Sequence, residues 1–481
     1  MKRIFRHTTL CLMALMLALT VQAEIPRLTV CIVVDGLRQD NLELLRPYWS
    51  QGGLRTLQEE GYQTSFAIPH AIYGGDETTA TLLTGVLPRE HGYSMDRYFR
   101  RSDRSVQPLL QDETVTGIGT AKAYSPRALL APSLTDRLRL MAGKQARIYA
   151  VGLRPETTVL MAGHCANACC WIDAEQRRWV STSYYDEGLP DEADQMNVSG
   201  RFEQIMQREW TPRLNISSYT SPTDEERKRP FAYRSEEVLL HSPAANELVV
   251  ELALELQRSK HLGVDATPDM LLLQLTTLSP KAQSDRILSA EQEDLHLWLN
   301  QDIGFLMEQL DKRLGAENYQ ILVVGRPVYG IGAAPLSDAG LTVSQFNVDR
   351  AAALACTYLM ALYGHERWVD GGYGQSIYLN RALIERKQMS MQTIQQQLAA
   401  FLMDFEGVQF AFPPSDVPQQ PELFPSYTKR CFGDVLFTLQ PGWQMTANDK
   451  VVPLLYLTHA VSTYPQQPVT ALDLHKLLKT E

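Results

Sequence analysis

The chain reads as an α/β protein with a mostly parallel central sheet and helices on both of its faces. Two patterns predict this. Four short runs are apolar and rich in β-branched residues almost without a break: Leu28 to Val34, Ala146 to Val151, Met270 to Leu275 and Tyr319 to Val324. Such continuity suits strands covered on both faces, since a strand with one wet face alternates. Segments with helical period lie between these runs, the order expected of parallel strands joined by crossover helices.

Each element has its own justification. The first strand, LTVCIVVDG, closes on Asp35. Asp76, Glu77 and Thr78 open a helix, where acids complement the positive end of the helix dipole. Ser242-Pro243 starts another, running to about Arg258, because proline fits the first helical turn. The best-marked helix has Ser289 as N-cap and Gln292 three residues on. Its apolar stripe is Leu295, Leu299, Ile303, Leu306 and Leu310, and Gly315 terminates it. Residues 170–235 are different in character, polar and broken by Pro and Asp, with Trp171, Trp179, Tyr184 and Tyr185 on expected hairpins. They are expected to form an inserted cap over the carboxyl ends of the strands, where ligands of open α/β sheets bind.

The first 23 residues read as a cleaved export signal: Lys2, Arg3 and Arg6, an apolar run from Leu10 to Leu19, then Val21-Gln22-Ala23. Residues 24–481 then form the mature domain, expected in the periplasm or outside the cell. No later stretch approaches a membrane span. Removing the signal leaves 42 basic and 55 acidic side chains, a net charge near −13, which argues against nucleic acid as a partner. There is no internal repeat and no low-complexity segment.

Six cysteines remain after cleavage. Cys31 sits within a strand and reads as a small apolar residue. The cluster His164-Cys165-Ala166-Asn167-Ala168-Cys169-Cys170 does not have a recurrent zinc spacing, and adjacent cysteines rarely bind one tetrahedral ion. Buried small residues or one local disulfide are the readings left open. His91, His164 and His296 are scattered and read as structural histidines.

One segment carries the chemistry. HAIYGGDETTATLLTGVLPREHG, residues 70–92, follows the strand that ends in Asp35. Together the two resemble the alkaline phosphatase superfamily, in particular the Bacteroidetes-type periplasmic alkaline phosphatases and their nucleotide phosphodiesterase relatives. YSPRALLAPSLTDRLRL, VLMAGHCANACCWID, DRAAALACTYLMALYG, GGYGQSIYLNRALIER and GDVLFTLQPGW extend the resemblance over about residues 24–465. It implies an alkaline-phosphatase-like three-layer α/β/α sandwich.

In that family a Thr or Ser nucleophile precedes the Thr-Gly of a short helix by nine residues, which here counts back from Thr84 to Gly75. Its phosphoryl transfer uses two zinc ions about 4 Å apart, held by Asp and His side chains. Asp35 matches the first ligand. The resemblance places the next pair on Ser279 and Gln283, an adjacent pair on Arg326-Pro327, and the last ligand on Lys450 or Val451. A guanidinium has no lone pair to offer a cation. The family's phosphate-binding Lys and Arg fall on Arg154 and Glu156, and its phosphate-contacting Asn falls on Asp96. The site is therefore expected to be vestigial, made of Asp35, Gly75, Arg154 and Arg326, with Arg326 answering the charge of Asp35.

Two functions follow as expectations. The first is a non-catalytic binding or scaffold protein of the periplasm or cell surface, without zinc or other cofactor, whose ligand and protein partner the sequence does not name. The alternative is a metal-dependent phosphomonoesterase or phosphodiesterase with a rebuilt site, drawing on Asp35, Asp76 and Glu77 with Thr78 and Thr79 one turn beyond Gly75. Partner binding through residues 170–235 is a third class.

Overall fold

Strand β1 (Leu28–Asp35) is the axis of the molecule because both of its faces are apolar. In the computed structural model, which describes residues 26–70, 75–220, 236–279, 288–326, 344–420, 424–440, 442–444 and 451–458, Leu28, Val30, Ile32 and Val34 enter one core while Cys31 and Val33 enter another. Alternate residues of a strand face opposite sides, so β1 joins two helical layers. The export signal expected at residues 1–23 lies outside the described residues.

The other strands of this sheet are β2 (Tyr62–Ala67), β3 (Gly117–Ile118), β4 (Ile148–Gly152), β5 (Ala168–Asp173), β6 (Arg178–Thr182), β7 (Asp269–Thr276), β8 (Tyr319–Arg326) and β9 (Val451–Thr458). Their order is β2-β9-β8-β1-β7-β4-β5-β6-β3. The central five, β8 to β5, run parallel, and antiparallel strands flank them on both sides. All four strands expected from the apolar runs are in this sheet. Register places Asp35 beside Arg326 on one neighbour and Thr276 on the other, so the polar strand ends form one row.

Helices α1 (Asp76–Thr84), α2 (Leu134–Ala142) and α3 (Pro155–Ala162) contribute Leu82, Leu138 and Val159 to the Cys31 core. Helices α4 (Pro243–Ser259) and α5 (Ala290–Leu314) contribute Leu248 and Leu299 to the opposite one. The expected capping box of α5 is present, with Ser289 and Gln292 exchanging bonds and Gly315 at the other end. No helix among the described residues is long and apolar enough to cross a membrane. A smaller lobe has its own core: a four-stranded antiparallel sheet of 369–373, 376–379, 408–412 and 435–439 under helices α6 (Val348–Tyr363) and α7 (Met391–Leu402).

The region expected as a cap starts inside the sheet. β5 and β6 are an edge hairpin, with Trp171 and Trp179 buried in opposite cores, because two large apolar rings find more cover in the sandwich than over polar strand ends. Further on, residues of this region pack beside α4 and α5. Arg201 bridges Glu247 and Glu251, and Trp210, the Arg213 amide and Tyr219 each donate to Asp294 at 2.6 Å. Residues 221–235 lie outside the described residues. The described cysteines are free thiols. Cys169 and Cys170 are buried in opposite cores, as adjacent strand residues must be, so the local disulfide is not formed between them.

Candidate functional site

Four elements bring polar side chains to one point at the carboxyl end of the sheet. Asp35 ends β1 and Arg326 ends β8; Asp76 opens α1, and Arg154 precedes α3, whose Thr157 also reaches in. Arg326 Nε lies 2.6 Å from Asp35 Oδ1, and its Nη1 lies 3.0 Å from Asp76 Oδ1. Arg326 is only 2% exposed and both carboxylates are buried. The expected pairing of Asp35 with Arg326 is thus present, and it extends to a second acid. Asp76 does more than complement the helix dipole: it also accepts from Thr157 Oγ1 at 2.5 Å and from Arg154 Nη2 at 3.4 Å.

Gln274 organises the far side. Its Nε2 donates to Asp35 Oδ2 at 2.9 Å, and its Oε1 accepts the Leu153 and Arg154 amides, each at 3.0 Å. Sequence reasoning passed over this residue. The available signal was a single amide within the apolar run of DMLLLQLT, since a fully buried amide needs partners.

The charges respond to this geometry. Burial alone raises the Asp35 pKa, but Arg326, Arg154 and Gln274 hold it below the ordinary carboxylate value. Burial also opposes the charge on Arg326, and Asp35 and Asp76 overcome it. Asp96 accepts from the Tyr93 hydroxyl at 3.2 Å. Burial, followed by the nearby Asp76 and Glu77, pushes the Asp96 carboxyl well above its usual range. Burial raises Glu156 as well. Arg154 is the accessible cation here, 36% exposed.

Gly75, the position that the resemblance matches to a nucleophile, caps α1 with φ 93°. That is a left-handed conformation in which a β-branched residue is an outlier. Of the positions matched to zinc ligands, Ser279 is buried with its hydroxyl 3.3 Å from that of Ser289. Gln283, Pro327 and Lys450 lie outside the described residues, and Val451 begins β9. Both oxygens of Asp35 are already engaged, and no group of three His, Cys, Asp or Glu side chains that could hold a metal occurs among the described residues.

The lone histidines have local partners. Buried His91 accepts the Tyr93 amide on Nδ1 at 3.2 Å, which leaves its proton on Nε2 to donate to Thr81 at 3.1 Å. Burial first, then His70, presses its pKa down to about 3. His296 Nδ1 bonds the Gln292 carbonyl at 2.6 Å. His164 pairs with Asp136 at 2.7 Å.

The sandwich with its polar row at the strand ends is an alkaline-phosphatase-like fold. It superposes on the crystal structure of alkaline phosphatase PafA with a TM-score of 0.83 at 20% identity, covering 94% of this chain and 96% of that one. A phosphonoacetate hydrolase from Sinorhizobium meliloti follows at TM-score 0.52 and 15% identity, covering 95% and 96%. The chain belongs to the type I phosphodiesterase / nucleotide pyrophosphatase family, whose model matches residues 29–464. Its relatives include a protein named calcium-transporting ATPase from Myroides odoratus, 23% identical over 89% of this chain and 83% of the relative. Another is alkaline phosphatase PafA from Elizabethkingia meningoseptica, 26% identical over 62% and 59%. Alkaline phosphatase PhoV from Synechococcus elongatus is 22% identical over 88% and 81%.

Proposed function

We propose that the chain is an exported, non-catalytic member of its family, serving as a binding or scaffold protein of the periplasm or cell surface. The observation that carries this reading is the Arg326 guanidinium, buried between Asp35 and Asp76. It supplies the positive charge that a metal ion would otherwise bring to Asp35, and it has no lone pair with which to share that place with a cation. Gly75 adds a second support, since the residue matched to the nucleophile has no side chain and holds a backbone conformation suited to glycine. Among the described residues, the donor set around Asp35 does not fit a pair of zinc ions. Export rests on the leader-like residues 1–23.

A rebuilt metal site is the competing reading. It would have to draw on Asp76, whose carboxylate is already bonded by Arg326, Thr157 and Arg154. Metal analysis of the purified protein, with aryl phosphate and diaryl phosphodiester assays in added Zn²⁺, Mg²⁺ or Ca²⁺, separates the two. We expect no stoichiometric metal and no hydrolysis above background. Zinc-dependent turnover abolished by Asp35→Ala would establish a hydrolase instead.

A further inference from the structure

His164 follows Gly163 at the end of α3, its ring 29% exposed. Its backbone N–H donates to Asp136 Oδ1 at 2.8 Å. Its ring Nδ1 lies 2.7 Å from Asp136 Oδ2, and Nε2 lies 3.0 Å from the Leu129 carbonyl oxygen. Both ring partners are acceptors. Burial alone would raise Asp136, but bonds from His164 and Ser133 keep it ionised below its ordinary value, and the same carboxylate closes the capping box of α2. A neutral imidazole carries one N–H and can satisfy only one of these oxygens, leaving a lone pair against the other. The ring fits its place as an imidazolium.

We propose that His164 is a pH-sensitive latch, fastening the 126–130 turn to the head of α2 while protonated and releasing the Leu129 carbonyl when it loses its proton. The remaining proton stays on Nδ1, because the carboxylate is the stronger acceptor. The released turn is not isolated. The Leu130 amide donates to the His91 carbonyl at 2.8 Å, and from α2 Arg137 Nη2 donates to the Thr84 carbonyl at 3.1 Å, so both sides of the latch touch the 70–92 segment.

The surroundings leave His164 as the group that changes charge near neutrality. Cys165 beside it, and Tyr184 and Tyr185, whose hydroxyls contact the His164 and Gly163 carbonyls, are all raised, chiefly by burial. Arg139 bonds the Cys165 carbonyl and Arg127 covers the Tyr184 ring. Asp112, paired with Arg127, is held down at about 2. The Asp136 bond raises His164 above the usual histidine value. The latch is therefore closed below that usual value and opens as pH rises through the raised one.

NMR titration of the His164 ring in the intact protein, with amide exchange at Leu130 followed over the same pH range, tests this. The expected result is a midpoint above about 6.5, with Leu130 exchange, corrected for its intrinsic pH dependence, rising in a step at that same midpoint. Asp136→Asn should lower the midpoint and move the exchange step with it. His164→Gln, which keeps a donor for the Leu129 carbonyl, should protect Leu130 at all these pH values. A ring already neutral at pH 6, Leu130 exchange indifferent to the titration, or a step that persists in His164→Gln would each overturn the latch.

Discussion

Each end of the central sheet buries an aspartate, and the two ends answer it in opposite ways. At the carboxyl end, Asp35 meets the fully charged Arg326 and its pKa is held low against the effect of burial. At the amino end, Asp269 accepts the Arg147 amide at 2.7 Å and the Gly263 amide at 2.9 Å, with the Arg147 guanidinium only reaching 3.6 Å. There burial wins and the carboxyl stays raised. At Asp35 another full charge outweighs the desolvation, whereas at Asp269 two backbone amides satisfy the oxygens without reversing it. The first arrangement rests on side chains, Arg326 with Arg154 and Gln274, and the second on the backbone itself.

The largest test of this contrast is Arg326→Ala. It leaves Asp35 and Asp76 buried with only the more distant Arg154, and removing one partner of a buried pair costs about 3–5 kcal/mol. Denaturant unfolding would measure it, and a loss below about 1 kcal/mol would mean that the carboxyl end does not rely on charge. Because the pair holds Asp35 ionised below its ordinary carboxylate value, the penalty should shrink as pH falls through and below that value.

Asp269→Asn should cost less, about 1–3 kcal/mol, since one oxygen remains to accept an amide while the new NH₂ faces a donor. Its pH dependence runs the other way. A folded-state pKa raised above the unfolded one favours the native chain most below the unfolded value, and that advantage fades as pH rises through the raised pKa. Thermal melts between pH 3 and 6 should therefore show the wild type gaining on Asp269→Asn as the solution is acidified, but losing its lead over Arg326→Ala. Parallel curves for the two variants would erase the distinction between the ends.

The smallest effect is expected from Gly75→Thr. A side chain at φ 93° costs about 1–2 kcal/mol, so unfolding should shift by that amount, and the added hydroxyl should bring no phosphate ester hydrolysis. Activity appearing in this variant would mean that a working metal centre had lacked only its nucleophile.

Sequence alone determined much of the fold. The four apolar runs, the Ser289 capping box and Gly315 were legible because burial on both faces and helix ends leave local signatures in residue type and spacing. It also determined that Asp35 and Arg326 belong together, through their matching positions in a resembling family. What it could not determine was the edge hairpin of Trp171 and Trp179, read as a cap, since hairpin residues look alike wherever the hairpin docks. Nor did it reveal that Asp76 shares Arg326, that Gln274 ties Asp35 to the Arg154 turn, or that both nitrogens of His164 face acceptors. Those facts depend on strands and helices far apart in the chain meeting at measured distances, and hydrogen bonds and ion pairs are decided by distance and burial, which only the tertiary fold sets.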